Sequence, residues 1–162
     1  MPVAREIATA AQIYRQDATM LVKSVDGLTA EEWLSRPNST SNSMLWVAGH
    51  MIWARSIVLK VIGEQWTRPW LPLFARGAAV VESAEYPAPE EIVLSLQEVS
   101  ASMTVAMEAA TVEKLSAAVP EKSPSFDGTV GGMINFLAFH DAYHVGQAAY
   151  IRRWLGRTGV AG

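Results

Sequence analysis

The chain has 162 residues, half of them hydrophobic and 18% charged, a globular composition that excludes a disordered or low-complexity protein. Thirteen basic residues against sixteen acidic ones give a net charge of −3, which argues against nucleic acid as a partner, because phosphate binding needs a concentrated basic patch. There is no cysteine, so disulfides, thiolate metal ligands and a cysteine nucleophile are all excluded.

The length suits one domain, residues 1–162, with a sizeable core. No internal repeat or interdomain linker stands out. The start, Met1-Pro2-Val3-Ala4-Arg5-Glu6, has no apolar signal core, and no apolar run reads as long enough to span a bilayer. The expectation is a cytoplasmic protein with no membrane partner.

The first helix is expected from about Pro2 to Val25. Ile7, Ala10, Ala11, Tyr14, Ala18, Leu21 and Val25 recur at three- and four-residue steps, and Gly27 follows as a stop. Thr29-Ala30-Glu31-Glu32 reads as a capping box. It should open a short extra helix that ends before Pro37 and lids one end of a bundle. Asn38 to Ser43 is a polar loop rich in N-cap residues.

A second long helix should start near Asn42 or Ser43 and run to Ile62, with Gly63 ending it. Trp46, Val47, His50, Trp53, Ala54, Ile57 and Val61 form its stripe, which places His50 toward the core as the one ionisable residue there. Glu64 to Glu85 is irregular. Its aromatic, proline-broken part, Trp66 to Gly77, must pack on something: the end of the bundle, a dimer surface, or a pocket beside a metal.

The third long helix is expected from Pro89 to Ala110, with Ile92, Leu96, Val99, Met103, Ala106 and Met107 as its stripe. Thr111 to Leu115 can be a separate capped turn. The fourth should run from Thr129 to Leu155, with Met133, Phe136, Leu137, His140, His144, Ala148 and Ile151 on one face. Gly131, Gly132 and Gly146 cost about 1 kcal/mol each inside a helix, which suggests close helix–helix approach. Arg152, Arg153 and Arg157 are expected to cap the negative end of a helix. Four long helices with short connections predict an all-α four-helix bundle.

The chemistry concentrates in His140-Asp141-Ala142-Tyr143-His144-Val145-Gly146-Gln147, which holds two of the three histidines. Four positions apart on a helix, both imidazoles share one face. A lone histidine on an apolar stripe is most often a hydrogen-bonded core residue. Two buried one turn apart, with His50 brought to them, need their nitrogens satisfied, and one divalent ion satisfies several at once. The expected metal ligands are His50, His140 and His144. Three imidazoles with open positions suit catalytic zinc, and also nickel, copper or iron. The string His-Asp-x-x-His is near the zinc-protease pattern His-Glu-x-x-His, but its surroundings are not protease-like. Asp141, Tyr143 and Gln147 are the candidate catalytic helpers. Asp141 could act as a base, accept from a ligand imidazole, or be a polar residue off the ligand face. Gln147 could orient a ligand or join two helices.

These residues carry a family resemblance. His140 to Gln147, with Ala148-Ala-Tyr-Ile-Arg-Arg153 and Leu155-Gly156, and the second piece Ser43-Met-Leu-Trp46-Val-Ala-Gly-His50, resemble the DinB-like superfamily of DNA-damage-inducible proteins. Gly27 to Glu32, Arg36-Pro37 and Trp66 to Gly77 add weaker similarity to its connections. The resemblance implies a four-helix bundle with a rearranged connection, often dimeric. It also implies a divalent metal on His50, His140 and His144, zinc or nickel first, and relatives that act on thiol-cofactor substrates.

Three functions are open at this point. The first is a metal-dependent transferase or hydrolase acting on a small-molecule substrate; since cysteine is absent, any low-molecular-weight thiol must enter as co-substrate. The second is a non-catalytic metal-binding stress protein or sensor. The third is a plain dimerising bundle.

Overall fold

Helix boundaries fall where local chemistry starts or stops a helix. In the computed structural model, which describes residues 2–78 and 85–160, a 3-10 turn at Arg5–Ile7 leads into α1, Ala8–Val25. The first α-helix thus starts later than expected, because Ile7 takes a non-helical conformation (φ −125°, ψ 10°). Thr29 caps α2, Ala30–Leu34, by a full capping box. Its hydroxyl accepts from the Glu32 amide at 3.2 Å, and the Glu32 carboxylate accepts from the Thr29 amide at 2.7 Å. Ser43 caps α3, Met44–Ile62, and Gly63 closes it in the left-handed region at φ 116°. A short 3-10 turn, Leu71–Phe74, follows on the aromatic connection. The helix α4, Pro89–Ala109, carries proline in its first turn. Thr111 caps α5, Val112–Ser116, and Thr129 caps α6, Val130–Trp154. Residues 79–84 of the irregular connection lie outside the described residues. Among the described residues there is no strand, only an isolated bridge between Ala118 and Thr129.

The long helices pack in the cyclic order α1, α6, α3, α4. Only α3 and α4 are neighbours both in sequence and in space; α1 to α3 and α4 to α6 cross the ends of the bundle diagonally. This rearranged connectivity sets α3 beside α6, the two helices that carry the histidines. The short α2 packs on α3, α5 on α6, and the Leu71–Phe74 turn on α3.

Four expectations need correction. By length and composition α3 could cross a membrane, although no such run was expected; here its Met44, Leu45, Val47, Ala48, Met51, Ile52, Val58 and Leu59 are core residues. The expected stripe of α3 is buried at Val47, His50 and Ala54, as expected, and only half-buried at Trp46, Trp53, Ile57 and Val61; the deepest ionisable residue of that helix is Arg55, off the stripe. Gly132 is required by the preceding loop, not by a helix: a Cβ there would strike the Asp127 carboxylate and the Ser125 hydroxyl. Gly146 faces open space. The arginines divide their work. Arg152 donates to the carbonyls of Ser24 and Asp26 at the end of α1 (3.2 and 2.7 Å), as a helix-capping cation should. Arg157 instead grips the Glu32 carboxylate.

Candidate metal centre

His50 sits in mid-α3, and His140 and His144 lie one turn apart on α6. The α3–α6 contact brings the three rings together, with centroids 4.5 to 5.1 Å apart. Their Nε2 atoms converge: His140 Nε2 is 3.2 Å from that of His50 and 3.1 Å from that of His144. An ion bound at about 2.0–2.1 Å sets its nitrogen ligands about 2.8–3.4 Å apart for angles between square and tetrahedral. The two distances from His140 Nε2 fall in that range, and all three ligand nitrogens lie within 4.8 Å of one another.

Hydrogen bonds fix which nitrogen points inward. His50 Nδ1 lies 2.7 Å from the Phe74 carbonyl oxygen, an acceptor with no proton to give, so Nδ1 carries the hydrogen and Nε2 the lone pair. His144 Nδ1 lies 2.9 Å from Gln147 Oε1, which gives the same tautomer when the amide oxygen faces the ring. His140 can donate one Nε2–H to one neighbour, not to both. Its buried Nδ1 has no partner among the described residues. The cluster thus turns more lone pairs than hydrogens inward, a donor set that would suit a divalent cation.

The electrostatics agree. Burial lowers His50. Burial first, then His50 and Arg76, hold His140 down to about 4. Burial also takes His144 to about 4, against the opposing bond to Gln147. All three imidazoles are therefore neutral at pH 7, the form that ligates a metal. Trp46 stacks on the His50 ring at 4.6 Å and Trp53 at 5.2 Å.

The candidate helpers separate. Gln147 takes the orienting position on His144. The exposed Tyr143 ring stands edge-on to His144 at 5.1 Å. Asp141, expected as a base or an imidazole acceptor, is corrected to its third reading: it turns away from the ligand face. Both of its oxygens bind Arg55, at 3.1 and 2.7 Å, with side-chain exposures of 0% and 1%. Arg55 also donates to Ser100 and to the Tyr14 carbonyl. Removing one partner of such a buried pair costs about 3–5 kcal/mol. Asp141 therefore ties α6 to α3 directly behind the histidines. Sequence reasoning missed Arg55 and the Phe74 carbonyl. An arginine within an apolar helix was a usable signal for the first; a backbone acceptor leaves none for the second. The aromatic connection buries Trp70, Leu71 and Phe74 and forms the back wall of His50.

Comparison with known proteins gives three findings. The family model described as the DinB superfamily matches residues 13–148. Among solved structures, the chain is similar to YfiT from Bacillus subtilis, described as a probable metal-dependent hydrolase with an unusual four-helix bundle topology. That likeness has a TM-score of 0.70 and 13% identity, covers 96% of this chain and 91% of that one, and shows the shared fold. No curated protein matches the sequence.

Proposed function

This chain belongs to the DinB superfamily, and from that premise we propose that it is a metal-dependent enzyme holding one divalent ion on His50, His140 and His144. The observation that carries the reading is the convergence of three Nε2 atoms while the Nδ1 atoms of His50 and His144 are already engaged. Zinc and nickel suit an all-imidazole set. The ion would supply Lewis acidity, making a nucleophile of water or of a thiol near neutral pH. The chain's own residues aim and shield: Phe74 and Gln147 hold two rings, and Trp46 and Trp53 cover both faces of His50.

Hydrolysis of a small-molecule substrate is the first reaction class, by extension from the description of YfiT. Thiol transfer is the second, with a low-molecular-weight thiol as co-substrate because the chain has no cysteine. A homodimer is part of the proposal, supported by the exposed Phe139, Tyr143, Tyr150 and Trp154 on α6.

One observation favours a second reading, a non-catalytic metal-binding protein. His50 and His144 are only 4% and 6% exposed. The neighbouring clefts, one lined by Tyr143, Gln147 and Tyr150 and another by Trp53 and Trp66, stop short of the imidazoles.

Metal analysis of tag-free protein, beside a His50→Ala/His144→Ala variant, tests the site. A single divalent ion per chain, lost in the variant, is expected. Hydrolase and thiol-transfer screens on the loaded protein then separate enzyme from binding protein. A chain that neither carries metal nor takes up added zinc or nickel sinks both readings.

A further inference from the structure

Phe74 is fully buried although it belongs to a connection, at the end of a 3-10 turn. Its ring packs on α3 where Gly49 has no side chain. A Cβ at Gly49 would come within 2.6 Å of the Phe74 Cγ and would strike two further ring atoms. Glycine inside a helix costs about 1 kcal/mol relative to alanine, and this ring is what the missing side chain makes room for. Trp70 meets the ring edge-on at 5.5 Å, and Tyr86 lies against it at 5.2 Å. The residue after Gly49 is His50, and the carbonyl of this same Phe74 accepts its Nδ1–H at 2.7 Å.

We propose that Gly49 and Phe74 form a notch and plug that set the tautomer and the aim of His50 through the Phe74 carbonyl. Ring and carbonyl belong to one residue, so seating the ring in the notch places the acceptor. A carbonyl accepts only the Nδ1–H tautomer, which leaves the Nε2 lone pair directed at His140. Neither residue meets the reacting atoms; both are positioning residues. The connection is therefore a working part of the centre as well as a cover.

The test compares wild type, Gly49→Ala and Gly49→Ala/Phe74→Leu, with circular dichroism to show that each is folded. In the metal-free proteins, heteronuclear NMR of the imidazole nitrogens reads the His50 tautomer. Wild type is expected to be pure Nδ1–H, Gly49→Ala mixed, and the double variant, whose smaller plug admits the new methyl, pure again. The second readout is zinc affinity, which rests on reading the three histidines as a metal site. It is expected to fall about 10- to 100-fold in Gly49→Ala and to recover in the double variant. If Gly49→Ala fails to fold, Phe74→Leu alone, with its notch part-filled, should show the mixed tautomer that the double variant lacks. A pure Nδ1–H tautomer in folded Gly49→Ala, or in Phe74→Leu when that variant stands in, overturns the clamp. Wild type that binds no zinc counts against the metal site alone, and the tautomer then judges the clamp.

Discussion

Asp17 of α1 is buried in the bundle beside Asp141 of α6, Arg55 of α3 and its own neighbour Tyr14. Two carboxyls share one guanidinium, and Arg55 gives its bidentate grip to Asp141. Burial first, then the Asp141 charge, raise Asp17 from 3.8 to about 7. The sign of the linkage follows. A folded-state value above the unfolded one means that the native state holds a proton the unfolded chain has released. Stability from this group is full below about pH 4 and is lost as pH rises toward 7. Asp17→Asn keeps the shape without the charge. It should raise stability at pH 8 by about 1–2 kcal/mol, a value reduced for partial solvation, and flatten the stability profile between pH 4 and 7. Urea denaturation at several pH values measures both; an unchanged profile would remove Asp17 as its source.

At the scale of elements, α6 serves as core helix, ligand carrier and exposed surface at once. Its outer side carries Phe139, Tyr143, Tyr150 and Trp154, with Gly146 among them facing open space. Alanine there gains helix propensity and meets no neighbour in the chain. Gly146→Ala should stabilise an isolated chain by about 0.5–1 kcal/mol, a rise of about 1–4 °C in Tm. A fall in Tm under dimer-forming conditions would instead mean that a second molecule approaches this helix closely. Gly132 differs, because its missing side chain admits the Asp127–Thr129 cap at the start of α6. One residue type thus answers to a loop at one end of the helix and to open space in the middle.

At the scale of the molecule, the candidate site depends on connectivity. The diagonal connections α1 to α3 and α4 to α6 leave α3 beside α6, so one ion would bridge two adjacent helices of the ring. Such an ion binds the folded chain and not the unfolded one. At about 100 times its Kd it should add about 2.7 kcal/mol, or about 5–10 °C in Tm for a chain of this size. Thermal melts with zinc and with a chelator should differ by that amount in wild type and not at all in His50→Ala/His144→Ala. Equal melts in wild type would mean that no ion links α3 to α6.

The sequence was a sound guide wherever the controlling interaction is local. Thr29, Ser43, Thr111 and Thr129 cap the next few residues, and Gly63 turns the chain at its own position, so these helix ends were readable closely, whereas the start of α1, which has no side-chain cap, was placed six residues too early. The pairing of His140 with His144 follows from the period of one helix in the same way, and His50, the third histidine and on the apolar stripe of its own helix, was read as their companion, as the family resemblance also implied. Arg55 escaped because its partner, Asp141, lies 86 residues away and burial of a charge depends on a helix rotation that periodicity leaves free. Asp141 stands off the ligand face by the helical period itself; what the sequence left open was that Arg55 would meet it there. The Phe74 carbonyl escaped for a different reason: a backbone oxygen belongs to every residue, and only the seating of a ring against Gly49 gives this one its role. Local hydrogen bonding and helical period act within a few residues. The pairing of distant polar groups waits on the packing of helix against helix.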